Sequence, residues 1–179
     1  NWIKQKIARL WNQLPQQPNF STLPFKANYR WLAHIPPEHT VTASPDIAKS
    51  IEHLVAKTPF CFKDPRFCYT LPAWQPYLEN TVFICVFRHP VATVNSILKE
   101  VSTGTYLPGL DMSFNQAMEL WTLVYRHVLE KHRRSGDWLF LHYAQILTPE
   151  GQDHIAQFTG ANIDQHFPDQ NLQRSTPTG

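Results

Sequence analysis

The chain is short of glycine, of methionine and of unbalanced charge. It has six glycines in 179 residues, and none stands in a G-x-x-x-x-G-K-[ST] run, which argues against a phosphate loop of the kinase type. The formal net charge of +2 is too small to furnish the basic face that nucleic acid requires. No apolar run nears the ~18 residues of a membrane span. No charged-then-apolar leader follows Asn1, so no export signal is read. Cysteine is scarce and odd in number: Cys61, Cys68 and Cys85. Two of these lie in apolar, strand-like runs, which suits buried thiols in a reducing, cytoplasmic setting rather than a disulfide. No His/Cys spacing matches a metal site. The nine histidines are scattered and are read as surface or core residues.

What remains is a folding composition. Hydrophobic residues make up 42% and charged residues 17%, enough for one domain with a real core. No repeat, low-complexity run or linker divides the chain. Residues 1–179 are therefore read as one domain, helical or irregular over 1–58, with the core over 59–179.

Periodicity supplies the elements. In "NWIKQKIARLWNQL", Ile3, Ile7, Leu10, Trp11 and Leu14 form one helical stripe, expected to pack on the domain. Residues 15–43 are rich in proline and polar clusters and read as irregular. A helix is expected from Ser44, with Pro45 in its first turn and Ile47, Ile51, Leu54 and Val55 on its buried face. "PFCFK" (59–63) reads as a short strand and "DPRF" as a turn. "TLPAWQPYLE" is at most a short helix, because Pro76 would break a long one. "TVFICVF" (81–87) is apolar without alternation, as expected of a central parallel strand covered on both faces. After Pro90, Val91, Val94, Leu98 and Val101 make a helical stripe. Ser113 and Gln116 form an S-x-x-Q capping box. They open a long helix with Phe114, Ala117, Trp121, Val124 and Val128 on one side, ending in Lys131, Arg133, Arg134 and then Gly136. "WLFLHY" (138–143) is a further buried strand, and residues 148–160 a further helix ended by Gly160. Strands alternating with helices predict an α/β fold: a parallel sheet of 59–63, 81–87 and 138–142 with helices on both faces.

In such sheets ligands bind beyond the carboxyl ends of the strands. Lys63-Asp64-Pro65-Arg66, Arg88-His89-Pro90 and His142-Tyr143 should then share one rim. Arg88 presents a planar fork suited to phosphate oxygens. The helix starting at Pro90 adds unpaired amides and a positive end. Ser96 lies off its apolar stripe, where its hydroxyl can face the rim. Arginine, helix start and hydroxyl together describe a phosphate pocket. An arginine after a strand is otherwise a solvated or salt-bridged residue.

With these residues the chain resembles the sulfotransferase superfamily. "VFICVFRHPVATVNS" resembles its 3′-phosphate-binding segment: a strand ending in Arg, then x-Pro, then a helix with Ser at the eighth residue after the Arg. "FCFKDPRFCYTLPAW" is similar to the Lys-Asp-Pro-Arg segment of many bacterial members. "WLFLHYAQIL" resembles the later Tyr-Glu-Asp-Leu element, and "FPDQNLQRS" the common C-terminal ending. The resemblance covers residues 59–175. It implies a fold related to the P-loop kinases and 3′-phosphoadenosine 5′-phosphosulfate as sulfonate donor. It implies a hydroxyl or amine acceptor on a small molecule, carbohydrate or other substrate. By matching positions, Arg88 and Ser96 would hold the 3′-phosphate and Tyr143 would lie near the adenine. Lys63 would approach the sulfonate or the bridging oxygen. Asp64 is a candidate general base, and Arg66 a candidate sulfonate or acceptor contact. The other reading of Asp64 is that it bonds its own backbone or pairs with Arg66. Arg174 would reach back to the 3′-phosphate.

Two departures from the family stand out. Ala144-Gln145 follow Tyr143 where two acids are usual. The family's first strand and Gly/Ser/Thr-rich 5′-phosphosulfate loop have no counterpart before residue 59. Weak transfer by this chain alone is therefore expected, and activity from a longer form that carries the loop. The competing expectation is a non-catalytic relative or fragment that binds a nucleotide, or a partner through Trp2, Ile7 and Trp11.

Overall fold

A computed structural model describes residues 32–103 and 110–164. Its order is α1 (Pro45–Val55), α2 (Phe67–Trp74), β1 (Val82–Phe87), α3 (Pro90–Thr103), α4 (Phe114–Arg126), β2 (Asp137–His142), α5 (Tyr143–Ile146) and α6 (Pro149–Thr159). The result is a mixed α/β fold. β1 and β2 pair in parallel, from Val82 opposite Asp137 to Phe87 opposite His142. The expected N-terminal helix over 1–14 and the tail after 164 lie outside the described residues.

Local signals explain most element ends. α1 begins at Pro45 after an extended Ser44, although the Ser44 hydroxyl makes no capping bond. Ile47 and Ile51 are buried on its inner face. Both halves of the Ser113/Gln116 capping box form, the Gln116 side chain accepting from the Ser113 amide at 2.8 Å. Thr148 caps α6 by accepting from the Gly151 amide at 3.1 Å, and Gly160 ends it in the left-handed region at φ 67°.

Three expectations fail. Residues 59–63 form no strand; among the described residues the sheet has two strands, β1 and β2. The segment is nevertheless anchored by its side chains. Phe60 and Phe62 stack at 5.1 Å between ring centroids, and Phe62 tilts against Trp74 at 5.8 Å. Aromatic packing fixes it without a backbone ladder. Secondly, β1 is not a central strand covered on both faces. It has one partner among the described residues, and its burial alternates along the strand. Thirdly, the long helix opened by Ser113 does not run straight to Gly136. It passes through a π turn at His127–Lys131 and a 3-10 turn at His132–Arg134.

Those two turns serve the core. α2 contains Pro72, which has no N–H to give the Cys68 carbonyl one helical turn back. His132 Nε2 donates to that carbonyl at 2.8 Å instead. His127 Nε2 donates to the Ile35 carbonyl at 2.8 Å, and the Tyr69 hydroxyl to the Ala33 carbonyl at 2.7 Å. Segment 33–35 is thereby stitched to the main core of Ile47, Ile51, Tyr69, Leu71, Trp74 and Val128. A second cluster joins α3 to α4 through Leu32, Val94, Ile97, Met112, Ala117 and Leu120. The helix stripes shift accordingly. Ile97 and Leu120 point inward, while Val91 (40% exposed) and Phe114 (42%) point outward.

The two histidines give the fold a pH dependence. Burial holds both below the ordinary value of 6.5, against the opposing pull of the carbonyls they bond; Lys131 lowers both further. The folded state therefore binds fewer protons than the unfolded chain just below pH 6.5. Stability should be full above that pH and fall beneath it, by up to roughly 1.4 kcal/mol per pH unit for each histidine. Urea unfolding at pH 7.5 and 5.5 measures the fall, and the double variant His127→Gln/His132→Gln should flatten it. Equal stability of the native sequence at both pH values would show that neither ring is held neutral.

Candidate functional site

The parallel pairing brings the carboxyl ends of β1 and β2 to a common rim, because Phe87 and His142 lie opposite each other. One residue further on, the Arg88 guanidinium carbon sits 5.8 Å from the centre of the Tyr143 ring, within range of a cation–π contact. Two residues expected at the nucleotide site thus meet. The Arg88 amide donates to the phenolic oxygen of Tyr125 on α4, and burial pushes that phenol up to about 12. Tyr125 also packs on Trp121 at 4.6 Å. The arginine is half-buried, its amide meeting Tyr125 and its guanidinium lying beside the Tyr143 ring.

α3 starts at Pro90, directly after this arginine. Its first-turn amides open toward the same end of the sheet. Ser96 lies on its exposed side, away from the buried Val94 and Ile97. On the neighbouring strand end, His142 caps α5. Its Nδ1 accepts from the Ala144 amide at 3.2 Å, and the Gln145 side chain accepts from the His142 amide at 2.7 Å. Nδ1 is thus an acceptor, which puts the ring proton on Nε2. Gln145, where the sulfotransferase pattern has an acid, completes this cap.

The Lys63 region is organised differently. Asp64 and Arg66 are almost fully buried and face each other. Arg66 donates twice to the carboxylate, Nε to Oδ1 at 2.8 Å and Nη2 to Oδ2 at 2.7 Å. The Arg66 amide also donates to Oδ1 at 2.8 Å. Both carboxylate oxygens are engaged, and the pair locks the Asp64-Pro65-Arg66 turn onto the start of α2. Lys63 is exposed beside it. This arrangement makes the pair a support for the turn and leaves Lys63 as its outward-facing cation. Arg174 lies outside the described residues.

Sequence reasoning missed Tyr125 and the cap made by His142. Tyr125 was detectable only as the residue four places after Trp121 on one helix face. His142, placed directly before a short helical run with Gln145 at its third position, carried the box signal in an unusual residue.

No family model matches the chain, and neither does any curated protein or solved structure at a significant level. Among the described residues no helix is long and apolar enough to cross a membrane, and no group of three or more His, Cys, Asp or Glu side chains could hold a metal ion. An open hollow of about 750 Å³ lies at the other end of the strands, between Gln75, Asn80, Val82 and Asp137. It holds none of the expected site residues.

Proposed function

We propose that this chain binds the 3′-phosphate end of 3′-phosphoadenosine 5′-phosphosulfate and serves sulfonate transfer to a hydroxyl or amine acceptor. The observation that carries the reading is Arg88, held at a parallel strand end between Tyr125 and Tyr143, directly before the first turn of α3. A guanidinium fork and a helix start there suit a dianionic phosphate, and the Tyr143 ring beside them suits a stacked adenine. Ser96 adds a hydroxyl contact. In the transfer, the acceptor oxygen or nitrogen forms a bond to sulfur as the bond from sulfur to the phosphate bridging oxygen breaks. The acceptor proton leaves to a base, and adenosine 3′,5′-bisphosphate departs. Lys63 offsets the charge that grows on the bridging oxygen. Asp64 and Arg66 brace the turn that follows Lys63 through their buried pair.

Calorimetric titration of the folded chain tests this directly. Adenosine 3′,5′-bisphosphate should bind roughly ten- to hundredfold more tightly than adenosine 5′-monophosphate, since a charge-assisted hydrogen bond contributes about 1.5–3 kcal/mol. Equal affinity for the two nucleotides would end the proposal.

A further inference from the structure

The rim holds one further fixed donor. His142 ends β2 opposite Phe87, and the two rings meet at 74° with 5.5 Å between their centroids. Nδ1 of His142 accepts from the Ala144 amide at 3.2 Å. The Phe87 ring and that bond together fix the plane of the imidazole and its tautomer. The proton is on Nε2, across the ring from the Ala144 amide. Nε2 has no hydrogen-bond partner among the described residues, and His142 is half-buried rather than sealed in the core.

A cap alone does not account for a histidine here. Asn, Asp and Ser are the preferred residues directly before a helix, because their short side-chain oxygens reach the free amides. The imidazole caps with Nδ1 and keeps a second polar atom, rigidly held, on its other side. Its neighbours define the ligand class. Residues 88 and 142 sit on adjacent strands, one residue out of step, with Cα atoms about 6 Å apart. The Arg88 guanidinium lies beside the ring of Tyr143, the residue after His142, and α3 opens directly after Arg88-His89. Residues 88–90 and 142–143, which form these strand ends, supply a cation and neutral donors and include no acid. An anion is the acceptor that suits them.

We propose that His142 is a ligand contact, its Nε2–H donating to an oxygen of the phosphate held by Arg88. The contact rests on the 3′-phosphate reading above and adds a neutral donor of fixed direction to a charged one. Arg88 attracts any anion, whereas the fixed N–H requires an oxygen at one place. The contact is the ring nitrogen and not the end of the short α5, whose Ala144 amide is already taken. The same tautomer removes His142 as the base of sulfonate transfer, since its bare nitrogen is occupied by that amide.

His142→Asn and His142→Ser test the contact, because both supply a preferred cap and remove Nε2. Each variant should unfold at about the native temperature. The preference for adenosine 3′,5′-bisphosphate over adenosine 5′-monophosphate, measured by calorimetry, should nevertheless fall roughly tenfold. A second measurement needs no substitution. The long-range nitrogen–proton spectrum of the imidazole rings in the native protein should show the His142 proton on Nε2. Adenosine 3′,5′-bisphosphate should move that Nε2 resonance, and adenosine 5′-monophosphate should not. The native chain's own preference tests the phosphate reading, and if it has none both ideas fall. A native preference that survives both substitutions overturns the His142 contact and leaves the phosphate reading standing. A proton found on Nδ1 does the same. So does a loss shared equally by the two nucleotides, which would make the ring a support for the rim.

Discussion

Arg66→Met should cost about 3–5 kcal/mol of unfolding free energy, because it leaves the Asp64 carboxylate buried without its cation. The side chains of Arg66 and Asp64 are only 10% and 5% exposed, and their closest atoms lie 2.7 Å apart. Removing the guanidinium deletes two side-chain hydrogen bonds to the carboxylate and leaves only the Arg66 amide bonded to it. The start of α2 should loosen with it, since the Arg66 carbonyl accepts from the Tyr69 and Thr70 amides at 2.9 Å. The double variant Asp64→Leu/Arg66→Met should recover most of the loss, since apolar groups of similar volume tolerate burial that a lone charge does not. Urea unfolding of the two variants separates these effects. A single-variant loss under about 1 kcal/mol would mean that the pair behaves like a solvated surface bridge.

Arg88→Ala should abolish most of the preference for a 3′-phosphate, a drop of roughly ten- to hundredfold in affinity for adenosine 3′,5′-bisphosphate. Affinity for adenosine 5′-monophosphate should change little, since that nucleotide has no group for the guanidinium to meet. Ser96→Ala should weaken the preference less, because a neutral hydroxyl contributes about 0.5–1.5 kcal/mol. Neither variant should unfold the chain. Ser96 is exposed, and the amide that ties Arg88 to Tyr125 survives in alanine. The readout is titration of both nucleotides against each variant, with thermal unfolding as the control. An Arg88→Ala protein that stays folded and keeps its full preference would place the phosphate elsewhere.

Much of the site follows from short-range pattern. A continuous apolar run ending in Arg-His-Pro specifies a strand, a turn and a helix start within a few residues. That alone sets Arg88 before the first turn of α3. An aspartate before proline with an arginine two residues on also specifies a local bond to its own turn and a pairing with Arg66, and both form. The parallel pairing of β1 with β2 follows from the helix-rich crossover between them. Tyr143 meets Arg88 because the two strands end in register.

Other features were not legible. Residues 59–63 have the composition of a strand, yet composition carries no information about whether a distant segment supplies a ladder. Here stacking of Phe60, Phe62 and Trp74 fixes the segment instead. The roles of His127 and His132 depend on carbonyls 92 and 64 residues away in sequence, one of them left unsatisfied by Pro72.

By itself, the sequence determined the caps of α4 and α6, the strands β1 and β2 with the helices that follow them, and the placement of Arg88 and Tyr143 at strand ends. These depend on neighbours within about four residues or on the alternation of whole elements, where backbone hydrogen bonding and side-chain periodicity act directly. Only the tertiary structure decided that β1 has a single partner among the described residues, that His127 and His132 bond the Ile35 and Cys68 carbonyls, and that Tyr125 meets the Arg88 amide. Those outcomes require groups far apart in sequence to compete for the same donors, acceptors and apolar surface, and the winner is set by three-dimensional packing.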